Sequence, residues 1–126
     1  MSAPGYDAER APEPARWLAS EQAERVGAVE RFHAASKAPH PPVERPRVHA
    51  ALHVVVEDQI ARDDPPEAAR AAARLVAGGW TRHDALHAIG RVASDALAAS
   101  LASGKFDPQA YARALDALDP RRRPAD

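Results

Sequence analysis

Prolines and glycines divide this chain into segments in which apolar residues recur at the spacing of an α-helix. The stretch 63–67 places acids around two prolines, a pattern typical of a helix start, and Gly78-Gly79 supplies a helix stop. Gly104 and then Asp107-Pro108 repeat this stop and start. Helices are predicted from near Ser20, or somewhat earlier, to about residue 37, from 47 to about 62, from within 63–67 to Gly78-Gly79, from 83 to about 103, and from 108 to before Pro120. We therefore expect an all-α fold, a small helical bundle of four to five helices.

The same reading predicts the domain organisation. Residues 1–15 contain three prolines and no apolar period, so we expect a flexible N-terminal lead. Residues 16–119 are predicted to form a single helical domain, and 120–126 a frayed basic tail. Four prolines in the nine residues 38–46 favour an extended, semi-rigid loop that carries His40.

Composition excludes several classes of function. The 17 basic and 18 acidic side chains nearly cancel, so we expect neither nucleic acid nor a membrane surface as a partner. The chain has no cysteine, which excludes disulfides, iron–sulfur clusters and thiol catalysis. The first residues lack the pattern of an export signal, and no apolar run approaches the length of a membrane span. We expect a cytoplasmic protein.

Two predicted helices each carry a His-x-x-x-His pair, read as HAALH at 49–53 and HDALH at 83–87. Histidines four residues apart stand one turn apart on the same side of a helix, so both rings can reach one ion. Each pair borders the apolar stripe of its helix. In the second of these helices that stripe is expected to include Leu97 and Leu101. The sequence therefore predicts a metal site formed by His49, His53, His83 and His87.

An all-nitrogen donor set favours zinc, although iron, nickel, cobalt or copper would also suit it. Four rings on a tetrahedral zinc leave no open position, whereas three rings and a water would permit hydrolysis, so the ligand count decides whether the protein is an enzyme. Glu57 could bind the ion directly or accept a hydrogen bond that orients a histidine ligand. We favour a solvated or orienting acid over a direct ligand. Asp84 is a candidate base, but Thr81 three residues earlier favours a helix-capping role for it.

The pattern of the sequence predicts no chemical role for the unpaired histidines. His33 and His40 have no partner at helical spacing and are expected to take no part in the site. Gly90, one turn after His87, either permits close helix packing or leaves space for a ligand above the ion.

The stretch from His49 to Gly90 resembles a bacterial family of small proteins of unknown function. In that family the second motif usually reads His-Glu-Ala-x-His, and the first is followed by Val-x-Glu-x-Gln, which Val55, Glu57 and Gln59 match here. Asp84 replaces the usual glutamate. The resemblance covers most of residues 17–103 and implies a helical fold with a histidine-rich site, but no reaction.

Three functions are compatible with the sequence. The first is a metal-binding helical protein of unknown role, with the four paired histidines as ligands. The second is a metal-dependent hydrolase of the zinc type, in which bound water attacks the substrate and Asp84 or Glu57 accepts the proton. The third is a non-catalytic interaction module whose histidines respond to pH. Two copies of the pairs would also allow a homodimer to share the site.

Overall fold

The computed structural model describes residues 5–35 and 45–122. Within these ranges the chain forms six helices and no strand. They are α1 (Pro14–Ala19), α2 (Gln22–Ala35), α3 (Pro46–Arg62), α4 (Pro66–Ala77), α5 (Arg82–Ser103) and α6 (Pro108–Asp116). The predicted all-α bundle is confirmed, with one helix more than expected.

The additional helix arises because the chain breaks at Ser20. This residue is extended, with φ −79° and ψ 159°, and separates α1 from α2. The guanidinium of Arg25 donates to the carbonyls of Trp17 and Ser20, so it satisfies groups that the end of α1 leaves without helical partners. The start near Ser20 that the sequence allows is close to the start of α2 at Gln22, whereas Trp17 and Leu18, which suggested an earlier start, belong to the separate helix α1.

Helix α3 is the centre of the bundle and packs against α1, α2, α4 and α5. The contact with α5 is close at Gly90, where an added Cβ would lie 3.4 Å from the side chain of Leu52. Gly90 therefore faces α3, and the close-packing interpretation of this glycine is the one that fits. The core consists mainly of alanine and branched aliphatic side chains, as the low aromatic content predicts.

The segment before α1 packs onto the bundle. Ala8 is fully buried, and the Tyr6 hydroxyl donates to Glu57 on α3. Glu9 accepts hydrogen bonds from the backbone N–H groups of Arg82 and His83 at the start of α5. This packing differs from the expected flexible lead, because these side chains satisfy buried or helix-terminal polar groups elsewhere in the fold. Residues 1–4 lie outside the described residues.

The end of α5, from Leu97 onward, is largely exposed. Leu97 and Leu101, which the helical stripe places on the inner face, are 59% and 78% exposed. The buried residues of this helix, which include Leu86 and Ile89, end at Gly90, and Ala93 and Ala96 are partly buried against the core. The expectation that Leu97 and Leu101 face the core was therefore wrong.

The C-terminal residues that are described contact the turn between α4 and α5. The indole N–H of Trp80 donates to the carbonyl of Pro120 at 2.8 Å, and a Cβ added at Gly78 would lie 2.3 Å from the Pro120 ring. Residues 123–126 lie outside the described residues, as do 36–44 with His40 and most of the predicted proline-rich loop. No helix in the described ranges has the length and apolar character needed to cross a bilayer.

Candidate metal centre

Five histidines from three helices meet on one side of α3. His33 comes from α2, His49 and His53 from α3, and His83 and His87 from α5. The two pairs predicted from spacing therefore do converge, because α3 and α5 pack against each other along the part that carries them. A third helix contributes the fifth ring.

His53 lies at the middle of this cluster. Its ring centroid is 4.8 Å from those of His33 and His49, 5.0 Å from that of His87 and 5.2 Å from that of His83. Its side chain is almost wholly enclosed, and the residue is 4% exposed. Every other histidine of the cluster thus contacts His53.

The electrostatics of His53 match a neutral ligand. Burial lowers the pKa of His53 far below its usual range. The four neighbouring histidines lower this pKa further, because a proton on His53 would be repelled by a proton on any of them. Both ring nitrogens, Nδ1 and Nε2, are buried without a hydrogen-bond partner. A neutral imidazole enclosed in this way has a lone pair that an ion would satisfy.

His33 was expected to take no part in the site. That expectation was wrong, because the His33 ring lies among those of the paired histidines. Its ring lies 4.9 Å from that of His49 and 5.2 Å from that of His83. Its Nδ1 is 2.9 Å from the carbonyl oxygen of Val29, one turn earlier in α2. A carbonyl oxygen can only accept, so Nδ1 carries the proton and the lone pair is on Nε2, which is buried.

The histidines best placed to share an ion are not quite the four that spacing predicted. The possible ligand atoms of His33, His53, His83 and His87 all lie within 4.8 Å of one another. His49 stands at the edge of this group, with its ring 5.0 Å from that of His87. Three of the four predicted ligands are thus in the group. His33 was overlooked because a single histidine on α2 has no partner in its own helix, although it continues the apolar spacing of Val26 and Val29.

Aromatic side chains enclose part of the cluster. The Phe32 ring lies 5.5 Å from that of His33 and 5.6 Å from that of His83, and the Tyr6 ring lies 6.5 Å from that of His53. Phe32 and Tyr6 also line a cavity of about 340 Å³ together with residues of α2. The histidines are therefore bordered on this side by apolar rings, which lowers the local dielectric and strengthens an ion–ligand interaction.

Glu57, considered above as a ligand or a solvated acid, is neither in this structure. It is 1% exposed, and both of its oxygens are engaged. Oε1 is 2.7 Å from Nη2 of Arg82, and Oε2 accepts from Nη1 of Arg82 at 2.8 Å and from the Tyr6 hydroxyl at 2.6 Å. Burial raises the pKa of Tyr6, and the adjacent Glu57 carboxylate raises it further, so the phenol keeps its proton. Glu57 therefore joins helices next to the cluster.

Asp84 belongs to the first turn of α5. Its backbone N–H donates to the Thr81 hydroxyl at 3.1 Å, which is the geometry expected when Thr81 is the N-cap residue. The acid also lies near the positive end of the helix dipole, where a carboxylate stabilises the helix. The capping interpretation of the Thr81–Asp84 pair thus has a structural basis.

No protein-family model matches the chain, and neither a search of curated proteins nor a search of solved structures found a match. The family resemblance of the two histidine motifs stays a prediction.

Proposed function

We propose that the protein binds a divalent transition-metal ion through His33, His53, His83 and His87. The carrying observation is that four imidazoles from three helices place their possible ligand atoms within 4.8 Å of one another. At the centre is His53, with both ring nitrogens buried and without a hydrogen-bond partner.

The donor set fits such an ion. Imidazole nitrogen binds zinc, copper, nickel, cobalt and iron, whereas magnesium and calcium prefer oxygen ligands. In a tetrahedral zinc site with bonds of about 2.1 Å, the donor atoms are about 3.4 Å apart. Side-chain rotations that bring the nitrogens closer would therefore be enough to close the site around an ion.

Hydrolysis receives less support from the same geometry. Glu57 is held in a two-point contact with Arg82, and Asp84 belongs to the cap of α5. A general base needs a carboxylate within hydrogen-bond reach of the ion-bound water, and both oxygens of Glu57 are already engaged by Arg82 and Tyr6. A pH-responsive surface receives less support because the central ring of the cluster is buried.

The test is elemental analysis of protein produced without an affinity tag, followed by titration of the metal-free protein with Zn²⁺, Ni²⁺ and Co²⁺ by calorimetry. We expect close to one ion per chain. His87→Gln should weaken binding by at least tenfold, which corresponds to about 1.4 kcal/mol.

Asp95→Asn, about two turns further along α5 on an exposed residue, is the matched control and should leave the affinity unchanged. Absence of metal after purification together with absence of uptake on titration would refute the proposal. So would equal affinities of the His87→Gln variant and the parent protein.

A further inference from the structure

The five histidine rings have the arrangement of a square pyramid. Four of them form a closed base, with neighbouring centroids 4.9 Å (33–49), 5.0 Å (49–87), 4.4 Å (87–83) and 5.2 Å (83–33) apart. His53 stands over this base at 4.8 to 5.2 Å from each of its corners. These eight close ring pairs are the eight edges of a square pyramid with His53 at its apex.

This arrangement differs from what a four-coordinate ion selects. A tetrahedral ion has four ligands, whereas here each of the four basal rings lies close to two other basal rings and to His53. If an ion-to-nitrogen bond is about 2.1 Å, neighbouring ring centroids lie about 4.6 Å apart around a six-coordinate ion and about 5.3 Å apart around a tetrahedral one. The observed 4.4 to 5.2 Å are close to both values, so the number of rings, and not their spacing, distinguishes the two geometries. Opposite donors of such an ion are about 4.2 Å apart. The 4.8 Å bound on the ligand atoms of His33, His53, His83 and His87 is compatible with that larger separation.

His49 stands outside the group of four whose ligand atoms lie within 4.8 Å of one another, and a rotation of its side chain toward the cluster would bring it to the same ion. It lies on α3 one turn before His53, its ring contacts three of the other four, and its Nε2 is buried. The base of the pyramid is incomplete without it, because His49 is the corner between His33 and His87.

We infer that His49 is a fifth ligand and that the centre is a five-histidine site with square-pyramidal geometry and one remaining coordination position opposite His53. This inference rests on the proposed function. Such a centre suits Fe²⁺, Co²⁺, Ni²⁺ and Cu²⁺, which accept five or six nitrogen and oxygen ligands, whereas structural zinc sites are almost always tetrahedral. The remaining position is where water or another small ligand would bind the ion.

The experiment loads the full-length metal-free protein with Co²⁺ alone and records its visible absorption spectrum. A five- or six-coordinate Co²⁺ ion absorbs several-fold more weakly in the visible range than a tetrahedral one, and the weak spectrum is the expected result. His49→Ala should remove one ligand and raise the intensity several-fold. Val48→Ala, a change at a 60% exposed position next to it, should leave the spectrum unchanged.

X-ray absorption of the Co²⁺-loaded parent protein supplies a second measurement that needs no variant. We expect five imidazole nitrogens around the ion. Four imidazoles, or an intense tetrahedral spectrum that His49→Ala does not alter, would overturn the inference while leaving metal binding intact. Failure to take up Co²⁺, Ni²⁺ or Zn²⁺ would instead refute the proposed function, and this inference with it.

Discussion

The carboxylate of Glu57 and the guanidinium of Arg82 form a two-point ion pair between α3 and α5, with contacts of 2.7 and 2.8 Å. The Glu57 side chain is fully buried and that of Arg82 is 13% exposed. Glu57 lies one turn after His53, and Arg82 directly precedes His83. The pair therefore fixes the relative position of the two helices next to the rings that they contribute.

Breaking this pair from one side should destabilise the protein strongly. Arg82→Ala leaves the Glu57 carboxylate buried without its cation, and we expect the free energy of unfolding to fall by about 3–5 kcal/mol. Urea denaturation of the metal-free protein measures the change. Arg121→Ala removes an ion pair in which the arginine is 88% exposed, and should leave stability close to that of the parent protein. Equal effects of the two substitutions would contradict the role given to the buried pair.

The metal-free protein should lose stability as the pH falls below about 6.5, the ordinary pKa of histidine in an unfolded chain. The native-state pKa of His53 is lowered by burial and by the neighbouring rings, so below this pH the unfolded chain binds a proton that the native protein does not. The contribution of this one residue is a slope of up to about 1.4 kcal/mol per pH unit. Urea midpoints measured between pH 5 and pH 8, at about half-unit steps, follow the change.

His53→Gln is the variant that isolates this contribution. Its absolute stability will be lower, but the dependence of its stability on pH should be shallower than that of the parent by about one proton. An unchanged slope would mean that His53 is not the residue responsible.

Two glycine-to-alanine substitutions should have opposite effects. At Gly78 a Cβ would lie 2.3 Å from Pro120, so the C-terminal contact with Trp80 must shift, and we expect a loss of about 1–3 kcal/mol. At Gly27, inside α2, the nearest atom is the flexible end of Arg31 at 3.3 Å, and alanine should stabilise the helix by about 0.5–1 kcal/mol. Thermal unfolding of both variants distinguishes the two cases, and a gain at Gly78 would argue against this contact.

Leucine-to-alanine substitutions should separate the covered part of the bundle from the uncovered end of α5. Leu115 on α6 is fully buried, and its truncation should cost about 2–5 kcal/mol. Leu101 is 78% exposed, so the same change there should remain within about 0.5 kcal/mol of the parent. A large loss at Leu101 in dilute solution would indicate that another molecule covers this surface.

Local sequence signals predicted the helices and most of the site. The stop at Gly78-Gly79, the cap at Thr81 and the four-residue spacing of the paired histidines depend on a few neighbouring residues, and all were found where expected. The burial of His53 and the partial burial of His49 and His87 followed from their position beside an apolar stripe.

What the sequence could not predict depends on contacts between distant segments. Leu97 and Leu101 continue the stripe of α5, but the periodicity does not tell where the covering helices end. At about 1.5 Å per residue, the 22 residues of α5 extend well beyond the 12 of α4. The contacts of His33 with the other histidines, and of Glu57 with Arg82, depend on how different helices pack against one another. Neither contact has a spacing signature in one segment.

The distribution of the histidines over α2, α3 and α5 has a consequence for the unfolded chain. An ion that stayed bound to His33, His53 and His83 would close loops of about 20 and 30 residues, and closing loops of this size reduces the conformational entropy of an unfolded chain. In a protein without cysteine and with a core of small side chains, the metal would then act as a removable cross-link.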